Sequence, residues 1–334
     1  MGTNFDILPG VTMPVAEVTR EIERVWKAEG VGPDASSTRA SQLNLVIHTG
    51  LSTTQEEVLK LFETAVAFGQ RTPCRIVLLC PRPEEDCEEE ERLKGKLYTQ
   101  CFVGESLREK CCCEALILSY QPSFAEFLEN QITLWLEPDL PGYLWLHRVD
   151  PASIQDRYLE FASNFQRVVF DSSVDGSEMH ALSWRERTQI KDFARARLLK
   201  ILQSLGQFLS SYKPDVLVAG LSAVRISILD VYSGEGNNLL DWMRCCIKNC
   251  CALADIDLSK IAFELKLSSA DAEDVAAVEW AYANEKFFHW RLNQKTRMAE
   301  TEADFGLGTA NNTQMVTRME PVEVLSEALF FTTS

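Results

Sequence analysis

Three apolar runs end on polar residues that could do chemistry. Leu45-Val46-Ile47 leads into His48, Leu144-Trp145-Leu146 into His147, and Val168-Val169-Phe170 into Asp171 and Ser172. If these runs are strands of one open sheet, the polar groups gather at its carboxyl end, where such sheets hold ligands. An imidazole there exchanges protons near neutral pH, and an Asp-Ser pair can bind a polar ligand such as a sugar phosphate or another small anion. The same side chains also suit strand-end hydrogen bonds and turn capping, so both readings stay open. The other two histidines, His180 and His289, form no closely spaced ligand pair with them. Neither GxGxxG nor GxxxxGK[ST] occurs, and Gly234-Glu235-Gly236 is too short to stand for a phosphate loop.

Cysteine is the second candidate chemistry. The chain has 11, with runs at Cys111-Cys112-Cys113, Cys245-Cys246 and Cys250-Cys251. Adjacent strand residues face opposite ways, and no Cys-x2-Cys pair appears, so neither a disulfide framework nor a zinc site is expected. These cysteines read as reduced thiols, with reversible redox regulation as the competing role. No metal or cofactor is expected.

The third is a basic stretch. Residues 181–213 carry a local charge of +5, including Arg185, Arg187, Lys191 and Arg195. Read as one helix, this stretch sets like charges four residues apart, a small cost that a partner's carboxylates would offset. Trp184 beside Arg185 adds a rigid indole to a guanidinium, a pairing suited to protein contacts. A solvated helix face is the plain alternative.

The elements that must position these residues follow from periodicity and capping. Helical spacing predicts helices near 14–29, 54–69, 123–132, 154–165, 183–210, 239–251 and 322–330. Thr54 with Glu57 and Ser183 with Glu186 form capping boxes. Strands are expected at 43–50, 75–80, 97–103, 114–118, 144–146, 168–170, 261–267, 276–280 and 287–292, with further elements at 216–219 and 226–231. The acidic run at 84–92 is expected to be an exposed loop. The class is α/β, a two-part mixed sheet-and-helix architecture with a three-layer-like N-terminal domain at 1–180. A basic bridging helix at 181–213 and a C-terminal mixed α/β domain at 214–334 complete it.

At 334 residues with 46% hydrophobic and 25% charged side chains, the chain can bury one large core or two ordinary ones. A formal charge of -16 opposes nucleic acid and anionic lipid. No segment reaches about 18 uncharged apolar residues, and the opening residues lack a secretory pattern. A cytoplasmic location is expected.

The succession RASQLNLVIHTG at 39–50, TPCRIVLLCP at 72–81, DLPGYLWLH at 139–147, RVVFDSS at 167–173 and LSWRERTQIKDFAR at 182–195 resembles the glucose-6-phosphate dehydrogenase assembly protein OpcA family. The similarity runs over roughly 39–330 and is strongest between Leu134 and Arg195. It implies a non-catalytic cytoplasmic protein that associates with glucose-6-phosphate dehydrogenase and promotes its active oligomer in the oxidative pentose phosphate pathway. Pro73, Arg75, Asp139-Leu140-Pro141, Asp171-Ser172-Ser173 and Trp184-Arg185 match family elements, and no catalytic role attaches to them. A Gly-Trp and Arg helix of the family is only echoed by residues 238–244. Thiol-based regulation in some photosynthetic relatives is consistent with the redox reading.

Overall fold

A strand buried at every position needs cover on both faces, and Leu43–Thr49 is such a strand. A computed structural model of the chain describes residues 3–18, 20, 21, 41–83, 93–103 and 110–331. It divides into two units, Met1–Asp192 with Pro321–Ser334, and Phe193–Glu320.

The first unit is built on β1 (Val11–Met13), β2 (Leu43–Thr49), β3 (Cys74–Pro81), β4 (Leu93–Val103), β5 (Lys110–Tyr120), β6 (Gly142–His147), β7 (Arg167–Phe170) and β8 (Gln189–Asp192). Their order is β1-β4-β5-β3-β2-β6-β7-β8. The six strands from β5 to β8 run parallel, while β4 and β1 join antiparallel at one edge. Numbered by first appearance, the parallel strands read 3-2-1-4-5-6, the order of doubly wound dinucleotide-binding sheets. The segments expected at 97–103 and 114–118 are the antiparallel pair β4 and β5.

Alternation then sorts the side chains by face. Val46, Val77, Leu116 and Leu144 pack in one cluster with Leu128 and Ile132 of α2 (Ala125–Trp135) and with Ile154, Tyr158 and Phe161. Helix α1 (Gln55–Arg71) buries Val58, Phe62, Ala65 and Phe68, and its Gly69 lies against Cys113 and Cys74. The closing helix Pro321–Ser326 packs against α1, and Arg167 Nη1 donates to the Ala328 and Leu329 carbonyls just beyond it. Of the helix expected at 14–29, residues 19 and 22–29 lie outside the described residues, as does the acidic run at 84–92; Val15–Glu17 form one 3-10 turn.

The second unit holds α3 (Phe193–Arg197), α4 (Leu199–Leu209), α5 (Pro214–Val218), β9 (Leu221–Leu229), α6 (Ser233–Ala254), β10 (Ala262–Ser268), β11 (Asp274–Tyr282), β12 (Phe287–Asn293), β13 (Met298–Asp304) and β14 (Ala310–Met315). The sheet order is β10-β9-β11-β12-β13-β14, antiparallel except for β9 and β10, which α6 connects in parallel. Leu205, Val224, Met243, Ile247, Phe288 and Trp290 anchor its core.

One expectation is corrected. The basic stretch is not one helix bridging two domains. Residues 189–192 pair with β7 as β8, the helices begin at Phe193, and the units divide between Asp192 and Phe193. Completing the parallel sheet satisfies this backbone, and the Ser183-Glu186 signal is overridden by that tertiary pairing. The element expected at 216–219 is α5 with its C-cap, where Pro214 takes a first-turn position suited to its fixed φ.

Candidate functional site

The strand order reverses between β2 and β6, and a sheet of this kind opens its ligand crevice at the carboxyl ends of those two strands. Here the chain closes that place with its own groups. The Gly50 N–H donates to the His147 carbonyl at 2.7 Å, and a Cβ on Gly50 would stand 1.6 Å from the Arg148 carbonyl oxygen. Only glycine admits this contact.

The next residues cap α1. Glu57 N–H donates to Thr54 Oγ1 at 3.3 Å, while Glu57 Oε2 accepts from Thr54 N and Oγ1, each at 2.9 Å. Glu57 Oε1 accepts from Arg148 Nε at 2.8 Å and lies 2.7 Å from Nη2. Partial burial opposes ionisation of Glu57, but the bonds from Arg148 and Thr54 outweigh it and bring the carboxyl down to about 2. A fixed negative charge therefore sits at the helix N-terminus that a dinucleotide-binding sheet offers to pyrophosphate.

Asp175 completes the closure. Its Oδ1 accepts from the Arg148 N–H at 2.5 Å and its Oδ2 from the Asp171 N–H at 3.0 Å, tying the end of β6 to the end of β7. Burial raises its carboxyl to about 7 against the pull of those two bonds. Arg148 adopts a left-handed φ of 55° to make this junction. A depression remains nearby, lined by Ser52, Arg148, Asp150, Pro151, Val174 and Asp175. Its one cation is committed to Glu57, and two carboxylates face it, so it suits an anion poorly.

The four strand-end residues are not brought into one open site. His48 is buried on the core face, its Nε2 2.6 Å from the Tyr120 hydroxyl, which donates to Tyr158 at 3.0 Å. Burial lowers His48 to about 4, so the ring is neutral. His147 Nε2 stands 3.9 Å from Glu57 Oε1, and burial likewise lowers its pKa although Glu57 opposes the change. Asp171 accepts from Ser173 N–H as a helix cap, and Ser172 N–H donates to Asp192. Sequence reasoning placed Glu57 only as a cap and missed Arg148 and Asp175. Arg148 directly follows His147, but a lone Asp in a loop carries no pattern.

The proposed partner residues also separate. Trp184 is half-buried and donates from Nε1 to the Met179 carbonyl at 2.8 Å. Arg185 reaches Asn164 at 2.8 Å and Glu160 at 3.2 Å, and Arg187 is exposed. Lys191 is buried in β8, and burial lowers its pKa. Arg195 belongs to the second unit, where burial lowers its pKa beside Cys246 and Cys245. An exposed basic face is thus confined to Arg185 and Arg187.

Among the cysteines, the side chains of Cys111 and Cys112 lie outside the described residues, and Cys113 is buried. On α6, Cys245 is exposed, Cys246 and Cys250 are half-buried and Cys251 is buried, all as thiols. Burial pushes Cys246 up to about 11 and raises Cys250 and Cys251, which opposes thiolate formation. Among the described residues no group of three His, Cys, Asp or Glu could hold a metal ion, and no helix is long and apolar enough to cross a membrane.

The residues shared with the resembled family serve the frame. Arg75 Nη1 donates to the Trp135 carbonyl at 2.6 Å, and Nη2 pairs with Glu137 at 2.8 Å. Asn44 Nδ2 donates to the carbonyl of Glu137 and, more weakly, to that of Leu140 in the DLP turn. Residues 65–187, which contain most of this stitching, match the family model described as glucose-6-phosphate dehydrogenase subunit N-terminal domain, OpcA type. Over these residues the chain is similar to the OpcA family. An OxPP cycle protein OpcA of Synechocystis sp. is 24% identical over 184 residues, covering 50% of this chain and 37% of that protein. One of Synechococcus elongatus is 28% identical over 107 residues, covering 32% and 23%. The matched region thus spans well under half of either relative. Among solved structures, aldose-aldose oxidoreductase from Caulobacter crescentus complexed with glycerol is similar at 9% identity and a TM-score of 0.38, covering 85% of this chain and 87% of that one. That likeness is too distant to bear on fold or function.

Proposed function

We propose that the chain is a non-catalytic, cytoplasmic assembly protein and allosteric activator of glucose-6-phosphate dehydrogenase in the oxidative pentose phosphate pathway. The observation that carries this reading is the self-filled crevice. A sheet with dinucleotide-binding strand order places Glu57, Arg148 and Asp175 where the cofactor's phosphates would go. The OpcA-type match of residues 65–187 supports glucose-6-phosphate dehydrogenase as the partner.

Activation then requires differential binding. A surface that holds the active form of the dehydrogenase tenfold more tightly than the inactive form shifts that equilibrium by about 1.4 kcal/mol, whereas equal binding shifts nothing. The test is a titration of the purified chain into dilute glucose-6-phosphate dehydrogenase, following NADPH production. Activity should rise to a plateau, and the chain alone should show no turnover. An unchanged rate at saturation overturns the proposal.

A further inference from the structure

One end of the second unit's sheet concentrates positive charge in a chain whose formal charge is -16. A cleft there is lined by Arg197 and Lys200 at the α3–α4 junction, Tyr232 and Glu235 at the start of α6, Arg297 between β12 and β13, and Arg318 after β14. Four cations face one carboxylate.

The carboxylate is already matched. Glu235 is buried and accepts from Arg197 Nε at 2.5 Å, so this pair is neutral as a unit. Lys200, Arg297 and Arg318 show no acidic partner among the described residues, leaving three uncompensated charges. Arg297 Nε is buried without a hydrogen bond, and burial lowers the pKa of this guanidinium beside Arg318. A half-buried guanidinium with one N–H unmet is partly desolvated, and an anion bound in the cleft would offset part of that cost.

Shape restricts the anion. The cleft is half-open and holds about 70 Å³ of water-reachable space, enough for a phosphate-sized group. Apolar Leu198, Ile201, Ile228 and Val275 form the rest of the wall, suited to a short carbon body. The Gly-Glu-Gly sequence also finds its use here. A Cβ on Gly236 would meet Ile228 at 2.7 Å, so glycine lets α6 lie close on the sheet while Glu235 reaches Arg197.

We infer that this cleft binds the dianion of phosphate or of a small phosphomonoester, with Lys200, Arg297 and Arg318 as its ligands. The site is separate from the closed crevice of the first unit and does not depend on the assembly role. Because the second ionisation of a phosphomonoester lies near pH 6, and that of inorganic phosphate about a unit higher, binding of each weakens as pH falls through its own value. Lys200 and Arg318 are exposed, so replacing them spares the core.

Isothermal titration of the full-length chain with inorganic phosphate and with glycerol 3-phosphate, and with glycerol as the neutral control, tests the assignment. Either phosphate should bind saturably, glycerol should not, and Lys200→Ala and Arg318→Ala should each weaken binding about tenfold or more. Tighter binding of glycerol 3-phosphate identifies a phosphomonoester as occupant, and equal binding identifies phosphate itself. Absence of saturable binding at millimolar ligand, or equal affinity in wild type and both variants, overturns the inference.

Discussion

At the scale of single residues, three titrating groups give the first unit a distinctive pH response. Glu57 has its carboxyl lowered, so its contribution to stability is present above its ordinary value of 4.5 and lost as pH falls through about 2. Asp175 is raised, so its contribution is full below 3.8 and lost as pH rises through about 7. His48 opposes Asp175: its contribution is present above 6.5 and lost as pH falls through about 4. Replacing Asp175→Asn should therefore leave the His48 trend exposed. Urea melts from pH 4 to 7 should show stability rising with pH relative to wild type, by at most about 1.4 kcal/mol per pH unit. A slope identical to wild type would contradict the assignment. Glu57→Gln should lower stability at pH 7 by about 1 kcal/mol through loss of the cap and the Arg148 pair. A melt indistinguishable from wild type would count against it.

Elements rather than residues decide how much of this was legible in advance. The capped helix at 54–69 and the buried strands around it announce themselves through local pattern and continuous apolar runs, and they appear as α1, β2 and β3. The 183–210 segment carries an equally good helical pattern, yet Gln189–Asp192 completes a sheet edge that no local signal reveals. The same limit hid the closure of the crevice. Glu57 and Arg148 are far apart in sequence, and their ion pair exists only because β2 and β6 are neighbours. Gly50 was readable as a strand end but not as a contact with Arg148. Two glycine substitutions separate these cases. Gly50→Ala must push apart the ends of β2 and β6 and should cost more than about 3 kcal/mol or prevent folding. Gly206→Ala, in α4 with nothing within 4 Å of the added methyl, should stabilise by roughly 0.5–1 kcal/mol. Thermal melts that rank the two the other way would refute this packing.

At the scale of the whole molecule, the two units have different electrostatic characters. In the first, the carboxylates of Glu57 and Asp175 are drawn into the sheet's own ligand end; in the second, cations line a cleft left open. The exposed basic pair Arg185 and Arg187, at the end of the matched family region, is the proposed contact for an acidic partner surface. Arg185→Glu combined with Arg187→Glu should raise the concentration needed for half-maximal activation about tenfold, with less than about 1 kcal/mol change in stability, because exposed ion pairs contribute little. An unchanged activation curve would remove this face from the account. The central claim is that the chain favours one assembled form of glucose-6-phosphate dehydrogenase without performing hydride transfer. Sedimentation velocity of the dehydrogenase at subunit-dissociating dilution, with and without a saturating amount of the chain, tests it most directly. The account expects the larger active oligomer to gain at the expense of free subunits, with the chain co-sedimenting; an unchanged distribution with the chain sedimenting alone would contradict it.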